Sequence, residues 1–377
     1  MARMSESMTT VETAGDNPTI TLRPKPRSAP IDKLGRKLHD LRISVTDRCN
    51  FRCKYCMPKE IFGAAYKFMP REMVMSFEEI ARAANIFVQL GVRKLRLTGG
   101  EPLVRKGVEE LVERLTAIRA PNDEPVDIAM TTNGSILDKK AKALAKAGLK
   151  RITVHLDAID DTIFKFMNDV DWPVAKVLAG IEAARAEGMH PIKVNTVIKR
   201  SNNVGEILPV VRHFRGTGIT PRFIEFMDVG NTNGWSMEEV VPGDEVISII
   251  QKEFPLVRLD PTSAGETAQR WGFADSNGNW DPKLGEVGVI CSVTHPFCSQ
   301  CNRARLSSDG RVYLCLFATT GYDVRMMMRQ GASDEEIKAK IESFWSARTD
   351  RYSELRSSLT PEIRARRHKI EMSYIGG

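Results

Sequence analysis

Leu41-Arg42-Ile43-Ser44-Val45-Thr46-Asp47-Arg48-Cys49-Asn50 reads as a short β-branched strand running straight into a loop, and Cys53 and Cys56 complete a cysteine trio in that loop. The strand signature recurs at 94–98, 126–132, 151–157, 192–198 and 221–227, and after each of the first five strands comes a longer segment with apolar residues at helical spacing. The first helix is marked by Ser76 and Glu79, a capping box ahead of Ile80, Ala84, Phe87 and Val88, and Gly91 closes it. Six such units predict an α/β fold, a partial (βα)6 barrel of the TIM type in preference to a doubly wound sheet. Either architecture gathers ligands at the carboxyl ends of its strands.

Beyond this barrel the chain divides in three. Residues 1–30, rich in Ser, Thr and Pro with no apolar period, read as a flexible extension. Residues 31–230 hold the barrel. After Met227 the βα rhythm stops, and a Gly-, Asn- and Pro-rich stretch opens a C-terminal region, 231–377, that ends in Gly376-Gly377. Its basic run, Arg364, Arg366, Arg367, His368 and Lys369, has the ordinary reading of a solvated face.

Composition narrows the function classes. With 42% hydrophobic and 27% charged residues over 377 positions, the chain is neither disordered nor fibrous. No apolar run approaches the roughly 20 residues of a membrane span, and no secretory signal opens the chain, so a cytoplasmic location with no membrane partner is expected. Lys plus Arg exceeds Asp plus Glu by 55 to 48, a modest surplus that favours an anionic ligand without implying nucleic acid.

Seven cysteines, an odd number, argue for thiolate chemistry over a disulfide framework. Cys49-x3-Cys53-x2-Cys56 leaves structural zinc one ligand short, whereas a 4Fe-4S cluster on three thiolates keeps one iron open. A second trio, Cys298-x2-Cys301-x13-Cys315, fits the same logic. Zinc returns as the competitor if Cys291 supplies a fourth thiolate; simple packing is the preferred reading of that residue.

The Cys-x3-Cys-x-Tyr-Cys motif after a first strand resembles the signature of the radical S-adenosylmethionine enzymes. The stretch 41–50, Leu97-Thr98-Gly99-Gly100-Glu101-Pro102 and Cys301-Asn302-Arg303-Ala304-Arg305-Leu306 resemble, more narrowly, the GTP 3',8-cyclases of molybdenum cofactor biosynthesis, and the likeness runs from about Leu41 to Gly377. The resemblance implies a lyase that converts GTP to 3',8-cyclo-7,8-dihydro-GTP through a 5'-deoxyadenosyl radical. It implies two 4Fe-4S clusters, the first on Cys49, Cys53 and Cys56, the second on Cys298, Cys301 and Cys315 in the C-terminal extension of the barrel. It further implies that Tyr55, Gly100 and Met227 contact S-adenosylmethionine, and that Arg42, Arg96, Thr131, Lys193, Arg303 and Arg305 bind GTP. The radical chemistry belongs to the cofactor, so no acid–base residue is assigned. Gly376 and Gly377 match a terminal double glycine that reaches the active site. One position departs from the pattern: His155 stands where Ser is expected as a contact to S-adenosylmethionine, and it is expected to keep that contact. The implied partners are GTP, an electron donor and the downstream pyranopterin monophosphate synthase, with the chain acting as monomer or homodimer.

Independently of the resemblance, charges inside strands point the same way. Arg42, Arg96 and Lys193 would be costly if buried unpaired, and a cavity relieves them. Two alternatives compete: a radical enzyme acting on a peptide, against which the arginine set speaks, and a zinc-bearing nucleic-acid binder, which leaves the first trio unexplained.

Overall fold

The computed structural model describes residues 29–377 apart from 264, 360–362 and 364–366. The expected extension, Ala29 and Pro30 excepted, and Arg364 and Arg366 of the basic run lie outside the described residues. The six expected strands are β1 (Asp40–Ser44), β2 (Lys94–Thr98), β3 (Asp127–Thr132), β4 (Arg151–His155), β5 (Ile192–Ile198) and β6 (Thr220–Glu225), paired in parallel in chain order. Between them run α1 (Phe77–Gln89), α2 (Val108–Thr116), α3 (Leu137–Lys146), α4 (Asp161–Asn168), α5 (Val174–Ala186) and α6 (Ile207–Phe214). The Ser76–Glu79 capping box opens α1, and Gly91 follows it at φ 104°, a conformation that favours glycine.

Period-two alternation explains why the sheet has a polar interior. Leu41, Ile43, Leu95 and Leu97 are fully buried in one apolar core with Ile80, Ala84 and Phe87 of α1, so the intervening Arg42 and Arg96 turn to the barrel's inner side.

Contrary to expectation, the βα rhythm continues past Met227. Helix α7 (Gly243–Gln251) follows β6, and after a β7 (Leu256–Leu259) and β8 (Gln269–Phe273) hairpin, β9 (Glu286–Ile290) pairs in parallel with β6. The inserted hairpin with its polar turns hides this unit in the sequence. On the other edge β10 (Arg303–Leu306) pairs in parallel with β1, and β11 (Arg311–Tyr313) and β12 (Tyr322–Asp323) extend the sheet antiparallel. The sheet order is thus β12-β11-β10-β1-β2-β3-β4-β5-β6-β9-β8-β7, an open barrel in which strands from beyond residue 231 flank both edges of the six earlier ones. The segment 291–302 bridges β9 to β10 across the unclosed seam.

The basic run is not wholly solvated. Lys369 is buried with its Nζ 3.1 Å from Asp228 Oδ2, beside Arg356, whose Nε is 2.8 Å from Oδ1 of the same carboxylate. Among the described residues, no helix is long and apolar enough to cross a membrane.

Candidate functional site

The strand directions place the two cysteine trios. Cys49, Cys53 and Cys56 follow the carboxyl end of β1, whereas Cys298 and Cys301 precede the amino end of β10, which is parallel to β1. Cys315 follows β11, antiparallel to β10, and so returns to that same amino end. The trios therefore sit at opposite mouths of the barrel, and both line one cavity of about 390 Å³, within the roughly 300–1,000 Å³ of small-molecule sites. Cys298, Cys301 and Cys315 thus line the cavity away from the carboxyl ends of the strands where the barrel rule directs attention.

Between the mouths lies a cationic wall. The parallel register sets Arg305, Arg42 and Arg96 side by side on β10, β1 and β2. Arg96 Nη1 donates to Thr131 Oγ1 at 3.0 Å and to Thr153 Oγ1 at 3.1 Å. Burial, and then the nearby Arg305, Arg303 and Arg96, push the Arg42 guanidinium well below its ordinary value. Burial and the Arg222 charge bring Lys193 down to about 8, and burial with Arg303 brings Arg305 down to about 10. So many buried, mutually repelling cations make a site for a polyanion, since each proton they keep costs less once phosphate oxygens are present.

All six expected GTP contacts, Arg42, Arg96, Thr131, Lys193, Arg303 and Arg305, line the cavity. So do Tyr55, Gly100, His155 and Met227, the six cysteines of the two trios, and Gly377. Gly376 lies behind that wall: its carbonyl accepts from Arg305 Nη1, and at φ 76° a Cβ would run into Thr98. At Gly100 a Cβ would strike the Arg48 carbonyl, so only glycine lets the strand end approach the cysteine loop this closely.

Cys291 stands apart. It is 2% exposed, belongs to the apolar core and does not line the cavity.

Sequence reasoning missed Lys94, Arg151 and Arg222, which line the same wall. The signal was available: each is a charged residue within a strand, in step with Arg96, Thr153 and Asn195 at two-residue spacing or in register. It also missed two buried carboxylates. Glu101 accepts from Thr132 Oγ1 (2.6 Å), Asn133 N (2.6 Å) and Leu103 N (3.0 Å) and so fixes the ends of β2 and β3 together. Asp157 accepts from Tyr55 Oη (2.7 Å) and Val197 N (3.0 Å). Hydrogen bonds of this kind leave no pattern in sequence.

All seven cysteines are free, and among the described residues no three His, Cys, Asp or Glu side chains gather tightly enough for a single metal ion. Three thiolates at each mouth suit a polynuclear cluster, three of whose irons would each take one thiolate while the fourth stays open. Donors to sulfur are in place: Phe51 N lies 3.4 Å from Cys49 Sγ, Phe317 N 3.5 Å from Cys315 Sγ and Arg348 Nη2 3.3 Å from Cys301 Sγ. Burial would raise the Cys301 thiol, but the Arg303 and Arg348 charges outweigh it and bring it down to about 6. Burial lifts the Cys49 thiol to about 12, so deprotonation there calls for a cationic centre.

Comparison with known proteins adds the following. A model of the radical S-adenosylmethionine superfamily matches residues 43–214, and one of the molybdenum cofactor synthesis C family matches 219–354. A GTP 3',8-cyclase of Staphylococcus epidermidis (strain RP62A) is 47% identical over 347 residues, covering 92% of this chain and 98% of that protein. The enzyme of the same name from Staphylococcus carnosus is 46% identical with the same coverage. Streptococcus suis SuiB bound to S-adenosylmethionine is similar in fold, with a TM-score of 0.55 at 13% identity over 83% of this chain and 70% of that one.

Proposed function

This chain belongs to the GTP 3',8-cyclase family of radical S-adenosylmethionine enzymes, and from that membership we propose how its own residues divide the work. The chain is a lyase of molybdenum cofactor biosynthesis: with S-adenosylmethionine and an iron–sulfur cluster it converts GTP to 3',8-cyclo-7,8-dihydro-GTP in the first step of the pathway. When bound, the cluster and S-adenosylmethionine supply a 5'-deoxyadenosyl radical that removes hydrogen from C3' of the ribose, after which C3' bonds to C8 of guanine.

The carboxyl-end mouth binds this cofactor pair. Cys49, Cys53 and Cys56 hold a first 4Fe-4S cluster, and Tyr55, Gly100, His155 and Met227 hold S-adenosylmethionine beside it. The amino-end mouth binds the base. Cys298, Cys301 and Cys315 would hold a second 4Fe-4S cluster, which would supply a binding point for the guanine base. Arg42, Arg96, Thr131, Lys193, Arg303 and Arg305 bind GTP between the mouths, and the tail, Gly376 and Gly377, closes the wall against them. Holding one substrate from both ends fixes C3' and C8 within reach of each other, the positional advantage that such a reaction needs. Residues 31–230 thus supply the radical and residues 231–377 seat the base.

The single observation that supports this division is the placement of two cysteine trios at opposite mouths of one cation-lined cavity. Iron and sulfide analysis of the anaerobically reconstituted chain tests it. Cys301→Ala should lose one of two clusters and all cyclised product while still cleaving S-adenosylmethionine. A wild-type chain that takes up one cluster only refutes the two-cluster reading.

A further inference from the structure

The last segment of the chain, residues 369–377, is fastened at its start to the loop that follows β6. Asn231 pairs with both backbone groups of Lys369: Lys369 N donates to Asn231 Oδ1 at 3.1 Å, and Asn231 Nδ2 donates to the Lys369 carbonyl. Glu371 returns the contact, its Oε1 accepting from Asn231 N at 2.9 Å and its Oε2 from Thr232 Oγ1 at 3.3 Å. Gly230 makes room for that carboxylate, since at φ 62° a Cβ there would strike Glu371 Oε2. On its other side the segment is tied just past Cys315, where Ile370 N donates to Ala318 O at 2.9 Å.

The same loop reaches back toward the carboxyl-end mouth. Asn233 Nδ2 donates to the Met227 carbonyl at 2.9 Å and to the Tyr55 carbonyl at 3.3 Å, so the loop is fixed to the backbone of two residues that face the cavity. Past Glu371 the segment has little freedom. The helical turn Met372–Ile375 buries Ile375 completely, and the next residue, Gly376, meets Arg305 through its carbonyl. A displacement at Lys369 or Glu371 is therefore carried through one short helical turn to the cationic wall, although neither Asn231 nor Glu371 lines the cavity.

We propose that Asn231 and Glu371 are positioning residues for the cyclisation: their reciprocal hydrogen bonds set where Gly376 meets Arg305, and so hold the wall that orients GTP. The proposal rests on the reading of the terminal glycines given above. Neither residue touches the substrate, and the effect of each is exerted through the placement of the tail. Misplacing a substrate by a fraction of its own width costs rate steeply, whereas radical formation at the other mouth does not depend on the tail. Loosening the start of the tail therefore separates the two halves of the reaction.

The test uses the full reconstituted chain with S-adenosylmethionine and GTP, and measures 5'-deoxyadenosine and cyclised nucleotide in the same samples. Asn231→Ala should form 5'-deoxyadenosine at the wild-type rate while the yield of cyclised product per cleavage falls by about tenfold or more. Glu371→Ala should shift the ratio in the same direction, and Glu371→Gln, which keeps an oxygen to accept from Asn231 N, should restore it. Hydrogen exchange followed by mass spectrometry supplies the second measurement: amides of residues 372–377 should exchange faster in Asn231→Ala, with those of β1 to β6 unchanged. A wild-type product ratio in Asn231→Ala overturns the proposal, as does a parallel loss of cleavage and cyclisation or an unaltered exchange rate in the tail. A failure of the glycine reading shows differently, as normal cyclisation by a chain that lacks Gly376 and Gly377.

Discussion

The Tyr55 hydroxyl donates to Asp157 Oδ2 at 2.7 Å. Asp157 Oδ1 lies 3.0 Å from His155 Nε2, which in turn touches the Tyr55 hydroxyl, so a fully buried carboxylate holds two cavity-facing rings in one arrangement. His155 is thereby presented to the cavity with its orientation set from behind.

His155→Ser should therefore stay active, and His155→Leu should bind S-adenosylmethionine more weakly by roughly 1 kcal/mol or more, the scale of one lost polar contact. Calorimetric titration of both reconstituted variants checks this. Unchanged affinity in the Leu variant returns His155 to a packing role.

Cys291 should prove dispensable for iron. Its thiol sits where a Cβ on Gly243 would have to go, and burial lifts its pKa to about 12. Cys291→Ala should keep the wild-type iron content. Gly243→Ala alone should lower the melting temperature, and Gly243→Ala combined with Cys291→Ala should recover part of the loss, because the methyl group then enters vacated space. Loss of one cluster in Cys291→Ala would make it a ligand after all.

Binding of GTP should depend on pH through Lys193. Burial and the Arg222 charge hold its ammonium down at about 8, with Arg151 adding to the depression and Glu266 and Glu286 opposing it. Phosphate oxygens raise that value in the complex, so binding takes up a proton when the free lysine is neutral. Affinity should be flat below about pH 8 and weaken above it, approaching about tenfold per pH unit. Lys193→Arg should flatten the profile, because guanidinium keeps its proton across this range. A wild-type affinity that does not change between pH 7 and 9.5 would exclude the contact.

Deleting Gly376 and Gly377 should abolish cyclised product while S-adenosylmethionine cleavage persists. Arg305, freed from the Gly376 carbonyl, then loses the contact that orients it in the wall. Chromatography of 5'-deoxyadenosine and of the cyclised nucleotide separates the two outcomes, and normal cyclisation by the shortened chain refutes the role of the tail.

What could be read in advance follows from what leaves periodic traces. The six barrel strands were legible within two residues at each end, because β-branched runs and helical spacing encode them directly. Arg42, Arg96 and Lys193 were legible because charge inside a strand is anomalous. Lys94, Arg151 and Arg222 carry the same anomaly and were passed over. The burial of Lys369 at Asp228 was not legible, since residues so far apart in the chain are joined only by the folded tail. Nor was the pairing of β10 with β1, which no local pattern announces.

That pairing sets a schedule. A ribosome releases β1 early, yet the strand that covers its open edge starts at Arg303, opposite Asp40. At roughly 5–20 residues per second, the nascent chain carries a naked edge for something on the order of ten to fifty seconds. An uncovered edge is a template for pairing with the wrong strand, including the same edge of a neighbouring nascent chain. Chains cut off before Arg303 should therefore stick to one another, and delay in the last third of synthesis should cost more soluble enzyme than the same delay in the first.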